Sequence, residues 1–259
     1  MDTRTILLDV GGTFIKCSDG REIPIDSNGT REEIASSLRT AVGNAENVAV
    51  AIPGPFNYEE GIFKMEHKFA AVYGEKFADL CGSKASFSFI HDVNAMLLGE
   101  MTAGAGKNYS RVALVALGTG LGFSMSIDGC ILKNEAGSPK VRIWYIPYGD
   151  GILEDYVSKR GFLRGYEGIS VKELAEMAFA GDKAAIARFA EVGEILSKVL
   201  APILKEYGIE CLLFGGQISR SFKLFGPAVT TGLNHLDIKY IGPVSDIDDA
   251  TFNGLRALL

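Results

Sequence analysis

Short apolar runs alternate with polar breaks through the first hundred residues, and their spacing predicts the elements. TRTILLDV stops at Gly11 and Gly12 and resumes as TFIKCSDG, which predicts a β-hairpin with the glycines as its turn. REEIASSLRTAVG (31–43) places apolar residues at helical spacing behind a charged start, and VAVAIPG (48–54) is a buried strand stopped by Pro53 and Gly54. ASFSFIHD then predicts a strand ending at Asp92. VNAMLLGEMTAGAG follows as a helix with Asn94 in its first turn and Asp92 as its N-cap.

From Arg111 the pattern restarts. RVALVALGTGLGFSMSIDGCIL reads as two strands joined through a glycine-rich turn, a weak internal repeat of residues 5–20. Ser170 and Glu173 stand at capping-box spacing ahead of a helix, and residues 182–208 predict a long apolar-faced helix interrupted near Pro202. IECLLFGG gives another strand ending in glycines, and SDIDDATFNGLRALL a closing helix capped by one of its aspartates. No Pro/Ser-rich linker separates the halves, so the expected boundary is compact and near residue 109. One domain then comprises residues 1–108 plus 246–259 and the other 109–245.

Composition narrows the class. With 259 residues, 47% apolar and 22% charged, the chain is long enough for about two globular domains of ~150 residues. A net charge of −6 gives no electrostatic case for nucleic acid. No apolar run reaches the ~18 residues of a membrane span, and the early first strand leaves no room for a signal peptide, so a cytoplasmic protein is expected. Cys17, Cys81, Cys130 and Cys211 are isolated from one another, which reads as reduced structural cysteines.

Three strands end in small-residue turns: Asp9-Val-Gly11-Gly12-Thr13, Leu117-Gly118-Thr119-Gly120 and Phe214-Gly215-Gly216-Gln217. Glycine lets backbone N–H groups approach an anion with no Cβ in the way, and a neighbouring threonine adds a donor. One such turn reads as an ordinary tight turn. Three, each after an apolar strand and spread over both halves, point to phosphate. No GxxxxGK[ST] occurs, and GTGLGF at 118–123 lacks the GxGxxG spacing, which disfavours a P-loop or Rossmann site. Asp9, at the end of the first strand, is placed to hold the water shell of a Mg²⁺ ion.

In that order, ILLDVGGTFIK, LGTGLG and LLFGGQIS resemble the two phosphate motifs and the adenosine motif of the actin-like ATPase superfamily. Within it, AIPGPFNYEEG (51–61), FIHDVNAMLLGE (89–100) and GILEDYVS (151–158) resemble the ROK family of sugar kinases, the bacterial glucokinase-like group. The resemblance implies an α/β, two-lobed actin-like (ribonuclease H-like) fold with an interdomain cleft, ATP and Mg²⁺ as cofactors, and a homodimer. It also makes Asp92 the general base, with the alternative of a plain helix cap. Asp9, Gly11, Gly12, Thr13, Gly118, Thr119, Gly120, Gly215 and Gly216 would hold the nucleotide. Lys16 reads either as a phosphate contact or as a solvent-facing lysine. Asn94 is a sugar contact or a support for its loop, Glu154 a sugar contact or a solvated carboxylate, and Gly54 shapes the loop beneath the sugar or only turns the chain.

The chain also departs from the ROK pattern. KVRIWYIPYGDGILEDY contains no cysteine or histidine where most ROK kinases carry a Glu-x-Gly-His element and a zinc-binding cysteine cluster, so no structural zinc is expected. His91 replaces the asparagine that usually precedes the catalytic aspartate, and MEHKFAAVYG replaces an Asn-Leu stretch. His67, Lys68 and His91 therefore read as remaking the acceptor pocket, the alternative for His67 and Lys68 being a wet loop. WYIPY reads as packing in place of the metal knuckle. The implied function is ATP-dependent phosphorylation of a hexose, glucokinase-like, without nucleic-acid or membrane partners. Rival readings are a non-catalytic sugar sensor, a polyphosphate-dependent glucokinase and an interaction protein that lost activity.

Overall fold

β1 (Thr5–Val10) and β2 (Phe14–Cys17) form the hairpin expected from the glycine pair, closed by the Val10–Ile15 pair, and β3 (Glu22–Pro24) adds an antiparallel edge strand. α1 (Arg31–Val42) starts at a capping box: the Glu33 carboxylate accepts the Thr30 N–H at 2.8 Å while the Thr30 hydroxyl accepts the Glu33 N–H. β4 (Asn47–Ile52), the short hairpin of β5 (Phe56–Asn57) and β6 (Ile62–Phe63), α2 (Phe77–Cys81) and β7 (Ser86–His91) follow, and α3 (Asp92–Ala103) begins directly where β7 ends. The sheet order is β3-β2-β1-β4-β7, with β1, β4 and β7 parallel.

Strand alternation divides this core. Leu8, Val10, Val48, Val50 and Ile52 face α1 and a cluster of phenylalanines, while Leu7, Ala49 and Ala51 form a flatter opposite face. α3 and α9 (Ala250–Leu258) pack on that flatter face, through Ala95, Phe252 and Leu255.

The second sheet repeats the first in strand order and direction. β8 (Arg111–Leu117) and β9 (Leu121–Ile127) form its central hairpin and β10 (Cys130–Ile131) its edge; β11 (Pro147–Tyr148) and β12 (Gly151–Ile152) make a separate small hairpin. α4 (Leu153–Val157), α5 (Lys159–Phe162), α6 (Val171–Phe179) and α7 (Lys183–Tyr207) lead to β13 (Cys211–Gly215), α8 (Phe222–Gly232) and β14 (Tyr240–Pro243). The order β10-β9-β8-β13-β14 has the same antiparallel hairpin and parallel extension as the first sheet. The repeat that was weak in sequence is clear in topology.

The computed structural model describes residues 4–259, which divide into two compact units. The first runs to Ala103 and takes in Lys133–Lys140 and Asp249–Leu259; the second holds Gly104–Leu132 and Val141–Asp248. The segment 133–140, flanked on both sides by the second unit, thus groups with the first.

Several local expectations need correction. α7 is not interrupted: it runs unbroken for 25 residues through Pro202. Pro202 is exposed, and the residue whose carbonyl loses its donor, Lys198, is exposed too, so water can satisfy that group. Asp92 is the first residue of α3 rather than a cap outside it, and its carboxylate accepts the N–H of the next residue, Val93. Asp249 does stand before α9 but makes no side-chain cap bond, its carboxylate being paired with Arg256 at 3.2 Å. WYIPY is only in part packing: Trp144 sits half-buried against the second core, whereas Tyr145 is exposed. All four cysteines are free thiols, and no helix among the described residues is long and apolar enough to cross a membrane.

Candidate active site

The hairpin geometry decides which N–H groups of the first glycine turn are available. Gly11 N–H closes the turn onto the Phe14 carbonyl at 2.9 Å, and so is spent internally. Those of Gly12 and Thr13 have no acceptor among the described residues, and Thr13 is exposed. Two free N–H groups on a sharp turn are donors available to an anion. The turn is held from behind by Ser27, whose N–H donates to the Gly12 carbonyl at 3.0 Å. A Cβ on Gly12 would lie 3.3 Å from the Ser27 hydroxyl oxygen and 3.9 Å from Lys68 Nζ, so the glycine keeps this approach open.

Asp9 precedes the turn and lies opposite Lys16 in the β1–β2 ladder. Burial, reinforced by the charge of Asp92 and only partly offset by Lys16, pushes its carboxyl up to about 6. Lys16 is therefore the electrostatic neighbour of Asp9, half-buried rather than freely solvated.

The second unit repeats the device. Gly118 N–H is spent on the Gly120 carbonyl at 3.1 Å, while Thr119 and Gly120 keep N–H groups without acceptors among the described residues. Glu154 adjoins this turn: its Oε2 accepts the Leu121 N–H at 2.8 Å and its Oε1 accepts from Arg160 at 3.1 Å. A Cβ on Gly120 would fall 2.8 Å from Glu154 Oε2, so a side chain there would displace that carboxylate from the turn. Gly215 is the buried last residue of β13, its carbonyl accepting the Ser219 hydroxyl at 2.6 Å. Gly216, at φ 78°, is the residue that turns, and any Cβ on it would overlap the backbone of Leu117. The ends of β8 and β13 are thereby brought together, with both glycine turns at one edge of the sheet.

The strongest chemistry sits where β7 becomes α3. His91 Nδ1 lies 2.7 Å from Asp92 Oδ1, which also accepts the Val93 N–H at 2.7 Å. The Asp92 side chain keeps 36% of its surface open to solvent. Its protein surroundings penalise the charged form, but His91, the Val93 N–H and Lys68 together outweigh that penalty and hold the carboxyl below the ordinary aspartate range. The positive end of α3 acts in the same direction. Asp92 is an ionised, partly open carboxylate with one lone-pair side already oriented.

Other residues frame it. Tyr58 lies with its ring centroid 5.9 Å from that of His91, and its hydroxyl donates to the Ile52 carbonyl at 3.1 Å. Burial first, and then the charge of Asp92, push this phenol well above its usual range, so it is a neutral donor. A Cβ on Gly54 would stand 3.0 Å from Ser138 Oγ, 3.3 Å from the Tyr58 hydroxyl and 3.5 Å from His91 Cδ2. Gly54 therefore sits at the floor of this group. Asn94 is fully buried and its side-chain amide donates to the Gly137 carbonyl at 3.2 Å, which pins the turn carrying Ser138. His67 is exposed and makes no hydrogen bond or ion pair among the described residues.

Ser27, Tyr58, Ser138 and Arg160 escaped the sequence reading. Ser138 had no signal, because it lies far from Asp92 in sequence, whereas Tyr58 stands in AIPGPFNYEEG beside Gly54 and could have been taken from that motif. Arg160 is on α5, beyond the extended Ser158 that ends α4, so no helical spacing links it to Glu154 along the chain.

No group of three or more potential metal-ligating side chains occurs among the described residues. A Mg²⁺ ion held by one carboxylate and waters does not require one. Asp9 fits that role: it is a half-buried carboxylate whose charge is disfavoured by its surroundings and by the charge of Asp92, an environment that a cation would relieve.

Residues 22–139 match the ROK family model. A glucokinase of Thermotoga maritima is 24% identical over 270 residues, covering 92% of this chain and 78% of that protein. Among solved structures, a ROK family glucokinase from Streptomyces griseus in complex with glucose and AMPPNP aligns with a TM-score of 0.81 at 20% identity, covering 98% of each chain. A ROK family transcriptional regulator, a homolog of the E. coli MLC protein, aligns with a TM-score of 0.79 at 18% identity, covering 99% of this chain and 78% of that one. The fold is thus the mixed α/β, actin-like ATPase fold of the ROK sugar kinases.

Proposed function

For a chain whose residues 22–139 match the ROK family and whose fold is that of ROK sugar kinases, we propose ATP-dependent transfer of a phosphoryl group to a hexose hydroxyl, with Asp92 as general base. One observation carries the reading: an ionised, His91-bonded, solvent-open carboxylate in the same unit as a glycine turn with free N–H groups. The first is what a hydroxyl nucleophile needs and the second what a terminal phosphate needs. Likeness to a glucokinase and to a structure holding glucose and AMPPNP supports a hexose acceptor and an adenine nucleotide donor.

In this reading the acceptor oxygen attacks the terminal phosphorus, the bond from that phosphorus to ADP breaks, and the acceptor proton passes to Asp92. The N–H groups of Gly12 and Thr13 hold oxygens of the terminal phosphate. Asp9 would hold Mg²⁺ through its water shell, and the ion supplies neutralisation of phosphate charge. The sugar faces His91, Gly54, Tyr58 and Ser138. Asn94 acts one step back, through the turn it pins.

The test is ADP production with Mg·ATP over glucose, mannose, fructose, N-acetylated hexosamines and β-glucosides, with Asp92→Asn beside the native protein. Activity on one sugar is expected, falling about 10²–10⁴-fold in the variant with nucleotide affinity preserved. Equal loss of nucleotide binding would contradict the role given to Asp92. Likeness to a transcriptional regulator keeps a sugar sensor as the second reading, and sugar binding without turnover of ATP or polyphosphate would favour it.

A further inference from the structure

Lys68 is exposed, yet its position is set by buried neighbours. The next residue, Phe69, is fully buried with its ring 5.5 Å from that of Phe63, and it adopts the left-handed region at φ 55°. A bulky residue rarely tolerates that conformation, and such outliers persist where the surroundings enforce them. Phe69 N–H donates to the Ser27 carbonyl at 2.6 Å, and Ser27 N–H in turn donates to the Gly12 carbonyl. Two hydrogen bonds thus tie the backbone beside Lys68 to the first glycine turn. The ammonium ends 3.9 Å from where a Gly12 Cβ would stand, near enough to Asp92 to help hold that carboxyl ionised. It has no hydrogen-bond or ion-pair partner among the described residues.

An unpaired cation beside two unpaired N–H groups and a base is arranged for a polyanion in transit. We propose that Lys68 is a catalytic residue that binds the terminal phosphoryl group seated on the Gly12–Thr13 turn and follows it as its bond to ADP breaks and its bond to the acceptor oxygen forms. The proposal rests on the kinase reading and assigns Lys68 to the phosphate rather than to the sugar. Charge leaving on ADP and charge arriving on the sugar phosphate both pass within reach of this one ammonium, while the hydroxyl proton goes to Asp92.

Binding separates this role from a sugar contact without relying on turnover. In Lys68→Met, affinity for Mg·AMPPNP should fall about tenfold while affinity for Mg·ADP stays within twofold, and kcat should fall about 10²-fold or more. Lys68→Arg should recover part of both losses, because it keeps the charge but not the compact ammonium. The side chain is exposed, so melting temperatures should match the native protein. A rise in sugar KM alone, with the AMPPNP-to-ADP ratio unchanged, would overturn the proposal and return Lys68 to the acceptor pocket. A native protein that binds neither nucleotide would remove the kinase reading itself, and the proposal with it.

Discussion

Asp9 feels the charge of Asp92, yet the two carboxyls are driven in opposite directions, the usual mark of carboxylates with different tasks. Asp92 gains a histidine, a backbone donor and a nearby lysine, whereas Asp9 gains mainly burial. An unfolded aspartate loses its proton near pH 4, while folded Asp9 keeps it to about 6. Between those values the folded state binds more protons, so this group makes stability fall as pH rises through the window, and the penalty persists above it. At neutral pH it amounts to at most about 3 kcal/mol, less whatever solvent screens. Asp9→Asn is therefore expected to raise the melting temperature of the nucleotide-free protein at pH 7, to flatten its decline between about pH 4 and 6, and to weaken Mg·ATP binding. Thermal unfolding across pH checks this, and a variant less stable than the native protein at pH 7 would refute it.

Asp92 stands at the head of α3, so its position depends on how that helix is seated. Glycines on both partners seat it: a Cβ on Gly254 of α9 would overlap the Ala95 carbonyl, and one on Gly99 of α3 would overlap the Ala250 carbonyl. The two backbones touch where neither can yield as a side chain would. Gly254→Ala must push α9 and α3 apart, at a cost of about 1–3 kcal/mol or more. A lower denaturant midpoint and a fall in kcat are expected, the latter because the base moves with its helix. An unchanged midpoint would show that the helices separate without strain.

The first unit is completed by the last residues of the chain. α9 supplies Phe252 and Leu255 to the face formed by Leu7, Ala49 and Ala51, while the second unit has its own core around Phe189, Phe214 and Phe225. Losing two large apolar side chains is worth about 5–10 kcal/mol, comparable to the whole stability of a typical domain. Truncation after Asp248 should therefore abolish amide protection in β1 and β4 while leaving β8 and β13 protected. Hydrogen exchange reads this strand by strand, and full protection of β1 would show that the unit closes without α9.

The first hairpin, α1, β4, β7, α3, β8 and β9, α7, β13 and α9, with the three glycine turns and the candidacy of Asp92, were readable along the chain, because each depends on neighbours in sequence, whereas α2, α8 and β14 were not read. Periodicity records which face is buried, and Gly-Gly-Thr after an apolar strand records a backbone that must turn sharply. Reading failed where the outcome depends on contacts across the fold. Pro202 stays inside α7 because its side of the helix is wet, and Asp249 leaves its cap empty because Arg256 takes its carboxylate. Asn94 holds a turn that arrives from residues 134–138, and Ser138 reaches Gly54 by the same route. Lys68 is distinguished from any other surface lysine only by Ser27 and Phe69, which bring it to Gly12. Local conformational preference and periodic burial are written in short stretches of sequence, whereas the direction of a side chain, its charge state and its partner arise only when distant segments share a small volume.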